Sequence, residues 1–427
     1  MGDAEPDNSS RTLSSPTQSG ERNSAIDILR GFALFGILLV NFPGSEAARS
    51  GAVDDAVSKL LTILVSGKFY TTFSFLFGLG FALQLSRAQS RGQRVVPVYI
   101  RRMLVLFLIG LGHAVLIWEG DVLLGYAVMG FFLIPFRNRS AKVLLSVAVL
   151  ALAADYLTGI SENPFLVRDL VPRRVDPELE QEAKIQEALA HNKISDAGRR
   201  LRAATKSGTY LEAVVARFDV WRISNRYTFR YIWFTSFAMF LLGMCAGRYR
   251  LIQSPPVRSV LITRVMWICL PIWLGFGAVT TFGPELLGSF YYKVHWKLQY
   301  LASLLHSPAG SLFYISAILS FLAIRPDWIH KLAPLASLGR MALTIYLLQS
   351  IAGTLLYYGY GLGLQFKLGN LLGLLLAVIL FAVQAVLSHW WLRYFRFGPF
   401  EWFWRSLTYG KLQPMRLQPS MAPARAG

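Results

Sequence analysis

Apolar residues gather along this chain in long, almost unbroken runs. Neither the period-two alternation of half-buried strands nor the narrow stripe of soluble helices accounts for them. About ten runs of near 20 residues each fall at roughly 26–43, 67–86, 99–118, 121–136, 141–160, 228–247, 260–282, 299–324, 335–358 and 368–392. A helix rises about 1.5 Å per residue, so about 20 residues cross a hydrocarbon core about 30 Å thick. A helix also satisfies its own backbone in lipid. The pattern predicts an all-α fold: a polytopic transmembrane helical bundle of about ten spans with a small extramembrane helical insert.

The breaks between runs suggest the organisation. Residues 1–22, rich in Ser, Asn, Thr and Pro, read as a disordered tail. Five spans make an N-terminal bundle over 23–160, and the rest form a C-terminal transmembrane domain over 228–411, followed by a tail at 412–427. The run Gly31–Phe42 is short enough to suggest a signal peptide, but Asp27 at its edge and the tail before it favour a first span. Residues 161–227 alternate acids and bases, with Leu179, Ile185 and Leu189 at near-helical spacing. They predict a helical cap on the outer face, either a solvated insertion or a lid. Gly243-x-x-x-Gly247 and Gly369-x-x-x-Gly373 predict close helix contacts. No internal repeat is evident, which counts against inverted-repeat transporters.

Composition agrees with a lipid solvent. Hydrophobic residues make up 54% of the chain and charged residues 16%, against about 25% in soluble domains. The formal charge of +19 would suit nucleic acid, but its distribution does not. Arginines and lysines crowd alternate short loops: Arg87, Arg91, Arg94, Arg101 and Arg102, then Arg137, Arg139 and Lys142, then Arg248, Arg250, Arg258 and Arg264. The expected partner is therefore a lipid bilayer and not a nucleic acid. This asymmetry predicts both termini in the cytoplasm and the insert outside. Cys245 and Cys269 have no metal-ligand spacing and read as small core residues.

Polar residues inside such runs are the candidates for function. Asp27 and Arg30, three apart, share a helix face and can pair, or Arg30 can hold an anion. His113 lies about 14 residues into a helix starting at Tyr99, about 21 Å deep. A tight hairpin at Gly120 follows it, so Asp121 at the start of the next helix can meet the imidazole. In Gly339–Ser350, Arg340, Thr344 and Leu347 follow i, i+4, i+7 spacing with Gln349 further in, predicting one polar stripe facing the interior. Gly398-Pro399-Phe400-Glu401-Trp402 ends the last span and predicts an interfacial anchor.

Together these motifs resemble a known family. Ile26-Asp27-Ile28-Leu29-Arg30-Gly31 with Val40-Asn41, Gly67-Lys68-Phe69-Tyr70, Gly112-His113 with Gly120-Asp121-Val122-Leu123, Gly339–Ser350 and Gly398–Trp402 look like the signatures of YeiB-like bacterial inner-membrane proteins. Those proteins carry domain of unknown function 418 in their C-terminal half. The segment Asp27-x-x-Arg30-Gly31-x-Ala33-Leu34 also resembles the heparan-α-glucosaminide N-acetyltransferase group of transmembrane acyltransferases. That likeness implies transfer of an acyl group from cytoplasmic acyl-CoA to an outward-facing glycan or lipid acceptor, using a histidine. The heparan-type pattern places its histidine soon after the first span, whereas this chain has none before His113. The residues then take expected roles. His113 is the catalytic base and Asp121 orients it. Arg30, Arg101, Arg102 and Arg340 meet the donor's phosphates. Asp27, Thr344, Gln349 and Glu401 are further intramembrane polar residues. The alternative is a transporter or exporter using the same residues as a pathway.

Overall fold

The computed structural model describes residues 23–42, 51–161, 195–252, 257–365 and 367–417. The predicted tails, apart from 412–417, and the stretch 162–194 of the insert lie outside the described residues. Among those described, the chain is helical, and extended pairing is limited to an isolated bridge between Phe395 and Arg416. The helices are α1 (Ser24–Asn41), α2 (Ala52–Leu64), α3 (Lys68–Ser90), α4 (Val96–Gly112), α5 (Leu123–Phe132) and α6 (Ala141–Ser161). There follow α7 (195–207), α8 (Tyr210–Arg248), α9 (Val257–Ile324), α10 (Ala333–Arg340), α11 (Ala342–Tyr357), α12 (Asn370–Tyr394) and α13 (Pro399–Tyr409).

Six stretches among the described residues are long and apolar enough to cross a bilayer: Ser24–Asn41, Ala52–Ser90, Val96–Ile117, Val260–Gly283, Tyr300–Ile324 and Asn370–Tyr394. The pair α10 and α11 makes a seventh if counted as one span. The two spans of α9 fold back on each other: Gly277 lies against His306, and Trp273 packs on Phe313 and Tyr314. The segments expected at 141–160 and 228–247 are helical, the second as the end of α8, which begins in the predicted insert at Tyr210.

Three expectations change. The span expected at 121–136 is a 10-residue helix followed by a 3-10 turn at Ile134–Phe136. Asp121 caps its start, and Pro135 lacks the N–H needed to continue it. At about 1.5 Å per residue α5 covers roughly half a bilayer core. The helix expected through Gly339–Ser350 is broken at Met341, where α10 and α11 meet at 85°. There Leu343 and Thr344 donate their N–H groups to the Glu401 carboxylate (2.6 and 3.0 Å), replacing the carbonyls one turn back. Arg340 and Thr344 therefore do not form one stripe. The third change is an addition: α2 precedes the second predicted span, its polar Asp54, Asp55 and Lys59 having hidden it from a hydropathy pattern.

The joint between α2 and α3 is held by donors aimed at the last carbonyls of α2. Lys68, fully buried, donates to the carbonyls of Thr62 and Ser66 (both 2.8 Å) and meets His306 Nδ1 at 3.3 Å. Trp273 Nε1 and His306 Nε2 reach Ile63 O, and the Tyr314 hydroxyl reaches Leu64 O. Close helix approach falls at two crossings. Gly243 and Gly78 put the backbones of α8 and α3 together, a Cβ on either colliding with the Phe75 or Phe240 carbonyl. Gly31 and Gly339 do the same for α1 and α10 against Leu335 and Asp27. Gly369, expected to pack as in Gly243-x-x-x-Gly247, instead precedes α12, where Asp54 accepts the Leu371 N–H at 2.9 Å. Cys245 and Cys269 are buried and unbridged.

Candidate functional site

The site begins where α4 ends. Its last turn widens into a π turn, His113–Ile117, closed by the Trp118 N–H on the His113 carbonyl at 2.8 Å. The chain then reverses through Trp118–Val122, and Asp121 caps α5 by accepting the Leu124 N–H at 2.7 Å. Its other oxygen meets His113 Nδ1 at 2.8 Å. The pair expected from the hairpin thus forms, with the two side chains 0% and 3% exposed. A carboxylate only accepts, so in the neutral imidazole Nδ1 carries the proton. Nε2 is then the acceptor nitrogen, buried and without a hydrogen-bond partner among the described residues. The Tyr346 ring packs on the imidazole at 5.0 Å between centroids, and its hydroxyl accepts the Val122 N–H at 3.4 Å.

A cavity of about 280 Å³ reaches this place from the other end of the bundle. Arg30, Arg87, Arg91, Arg102, Arg340 and Arg405 stand around one end of it, with Asp27 and Glu401 among them. Leu34, Ile37, Phe73, Phe77, Leu106 and Leu123 line the middle. Val122, Tyr126 and Tyr346 line the far end. His113 and Asp121 do not line it; they sit behind Tyr346 and Val122. A cationic mouth leading to an apolar interior fits a molecule with an anionic head and a long, weakly polar arm.

The predicted residues divide accordingly. Arg30 pairs with Asp27 at 3.0 Å and remains about one-third exposed. The Arg340 Nε is buried without a hydrogen-bond partner among the described residues. Arg102 reaches Gln84 at 3.4 Å and stacks on Trp404, 4.3 Å from its ring centroid. Arg101 is exposed and outside the cavity, because its neighbour on the helix takes the inward face. Thr344 serves the Glu401 cap at 2.6 Å, and Gln349 pairs with Gln384 at 3.1 Å on α12. The segment expected as an interfacial anchor also walls the cavity: Glu401, Trp404, Arg405, Thr408 and Tyr409 of α13 line it.

Tyr346 stands within Gly339–Ser350, but nothing in its sequence neighbours sets it apart. Arg87 and Arg91, expected only to mark orientation, line the cavity. A further cluster gathers at the hairpin end. Arg217 of α8, fully buried, reaches Leu116 O, the Tyr360 hydroxyl and Glu119. Burial pushes the Glu119 carboxyl above the usual carboxylate range, and the Arg217 charge and the Tyr358 hydroxyl pull it back. No group of three or more His, Cys, Asp or Glu placed to hold a metal occurs among the described residues.

Comparison with known proteins matches both halves of the cavity. The heparan-α-glucosaminide N-acetyltransferase catalytic model matches residues 22–168, which include Arg30, Arg102, His113 and Asp121. The model described as a protein of unknown function (DUF418) matches residues 246–411, which include Arg340, Tyr346 and Glu401. The uncharacterized protein YxaH of Bacillus subtilis is 34% identical over 94% of this chain and 97% of its own length. An uncharacterized 39.9 kDa protein of Bacillus acidopullulyticus is 28% identical over 94% and 98%. The uncharacterized protein YeiB of Escherichia coli is 28% identical over 91% and 96%. No solved structure matches. Matched by these relatives over nine-tenths or more of both chains and by the family model, the chain belongs to the YeiB-like family of multi-pass membrane proteins that carry domain of unknown function 418.

Proposed function

We propose that the protein is a transmembrane acyltransferase taking its acyl group from an acyl-CoA on the cytoplasmic side of a bacterial inner membrane. The observation that carries this reading is the cavity itself: its arginine end and its Tyr346 end, the latter touching the His113–Asp121 pair, are joined by one apolar passage. The match of residues 22–168 to an acyltransferase catalytic model supports the same chemistry. The arginine-rich connections favour a mouth, and both termini, on the cytoplasmic side.

A bound acyl-CoA supplies a thioester, an acyl group already activated for transfer. The chain's own residues do the rest. Arg30, Arg102 and Arg340 hold phosphate oxygens by charge-assisted hydrogen bonds, each worth about 1.5–3 kcal/mol. Leu34, Phe73, Phe77 and Leu106 exclude water along the passage. Asp121 holds the Nδ1 proton of His113, so Nε2 is free to take a proton from an acceptor hydroxyl or amine. The acceptor oxygen or nitrogen then bonds to the acyl carbon as the carbon–sulfur bond breaks, and His113 returns the proton to the departing CoA thiolate. Tyr346 lines the cavity and packs on the imidazole, whereas His113 does not line it, so on this reading the Tyr346 ring has to turn aside for the imidazole and the donor to meet. The acceptor, a glycan or a lipid, approaches from the side of the hairpin Trp118–Val122, opposite the arginine mouth.

Calorimetry with purified protein and acetyl-CoA tests the donor site. Binding that weakens about 10- to 150-fold in Arg340→Ala, as loss of one charge-assisted contact requires, supports the reading. Absence of binding, or affinity indifferent to Arg30 and Arg340 together, overturns it.

A further inference from the structure

Arg217 lies outside the cavity, yet it is fully buried and touches both segments that carry the His–Asp pair. Its Nη1 donates to the Leu116 carbonyl at 3.0 Å. Its Nη2 donates to the Tyr360 hydroxyl at 3.1 Å, and its Nε stands 3.8 Å from Glu119 Oε2. Tyr358, whose ring faces the guanidinium at 5.5 Å, donates its hydroxyl to the same carboxylate at 3.2 Å. Leu116 belongs to the π turn that begins at His113, and Glu119 stands two residues before Asp121. The Leu116 carbonyl also accepts the Tyr210 hydroxyl at 2.9 Å, so two side chains of α8 converge on one carbonyl at a helix end.

Burying a guanidinium is costly unless its donors are met; here Nη1 and Nη2 are met, while Nε makes no hydrogen bond among the described residues and has the Glu119 charge at 3.8 Å. An apolar side chain would pack α8 against this turn without that cost. What arginine adds is a rigid fork able to hold two backbone segments at a set spacing. The segment Trp118–Val122 has no helical ladder of its own. Its position is set by Glu119 on one side and Asp121 on the other. A shift of that segment relative to the π turn changes the Nδ1–carboxylate distance directly.

We infer that Arg217 is a positioning residue: by holding Leu116 and Glu119 together it sets the register in which Asp121 meets His113. Its effect on turnover rests on the acyl-transfer reading; its effect on the pair does not. Arg217 joins the outer portion of α8 to the centre of the bundle, linking the end of the predicted cap to the geometry of the candidate base.

The test uses the full-length protein in detergent and diethyl pyrocarbonate, which modifies accessible imidazole nitrogens, read residue by residue by mass spectrometry. His113 and His306 are both buried, so both are protected in the native protein. Arg217→Ala raises modification of His113 by about 10- to 100-fold, as loss of a charged hydrogen-bonding group from a local structure predicts, while His306 stays protected. Arg217→Lys, which keeps the charge but not the planar fork, falls between. Glu119→Gln gives a smaller rise and serves if the arginine variants do not fold. In the acyl-transfer assay Arg217→Ala lowers kcat and leaves acetyl-CoA affinity unchanged, because Arg217 does not line the cavity. If His113 stays protected in Arg217→Ala and Glu119→Gln, or if both histidines become reactive together, the inference is wrong. A native protein that transfers no acyl group defeats the functional reading alone, and the protection pattern still decides the role of Arg217.

Discussion

Replacing Asp121 by Asn keeps the side-chain shape and removes one acceptor oxygen from a place that uses two. In the native protein one oxygen takes the Leu124 N–H at 2.7 Å and the other faces His113 Nδ1 at 2.8 Å. The amide has one oxygen and must choose. If it turns that oxygen to His113, its NH2 group confronts the Leu124 N–H, and a buried donor loses its partner at a cost of about 1–3 kcal/mol. If the oxygen stays on Leu124, the NH2 group donates to Nδ1 and the imidazole proton moves to Nε2. The second arrangement costs no backbone hydrogen bond, so it prevails. The competent tautomer is then depleted by about 5- to 150-fold, the same 1–3 kcal/mol converted at 1.36 kcal/mol per decade. Acyl transfer should fall by roughly that factor, with acetyl-CoA affinity intact. Long-range 15N–1H correlation spectra of histidine-labelled protein, with His113→Gln for assignment, read the tautomer without reference to activity. Retention of the Nδ1–H form in Asp121→Asn would refute the argument, because the cap on α5 would then not outweigh the bond to His113.

His113→Ala removes the base altogether and should cost more than Asp121→Asn, about 10²–10⁴-fold in turnover; unchanged turnover would make His113 a packing residue. Arg101→Ala should leave acetyl-CoA affinity within error while Arg102→Ala weakens it, since only Arg102 lines the cavity; equal effects in calorimetry would mean that the mouth is not the donor site. Glu401→Ala strips the start of α11 of three hydrogen bonds, and by analogy with helix-cap losses should cost about 2 kcal/mol or more, seen as a lower melting temperature in detergent. Cysteine probes at Ser90 and Ser207, both exposed, test orientation in intact cells: an impermeant maleimide should label Ser207→Cys only, with Cys245 and Cys269 silent because they are buried.

Much of the architecture follows from local chain properties. A run of about 20 apolar residues in lipid has little choice but a helix, because no water is present to satisfy its backbone. The meeting of His113 with Asp121 was legible too, since eight residues containing Gly120 leave the two little room to separate. Arg30 and Asp27 were legible as an i, i+3 pair. The helix α2 was not, because hydropathy averages over its charges, the buried Asp54 and the exposed Asp55 and Lys59.

Tertiary structure decided the rest. The break at Met341 exists because Glu401, 58 residues beyond Leu343, offers its carboxylate to N–H groups that a straight helix would satisfy within itself. Which of Arg101 and Arg102 meets the cavity depends on how α4 is rotated against α13, where the Trp404 indole donates to the Arg102 carbonyl at 2.9 Å. Arg217 and Tyr346 gain their significance from contacts across 101 and 224 residues, with Leu116 and Val122 respectively. The sequence by itself determined that helices would cross a membrane and that an imidazole and a carboxylate would share a hairpin, because both are consequences of short-range geometry and solvent. Where the cavity runs, and which arginines and which tyrosine face it, was set by the packing of distant helices, since each side chain's partner there is chosen by the fold and not by its neighbours in sequence.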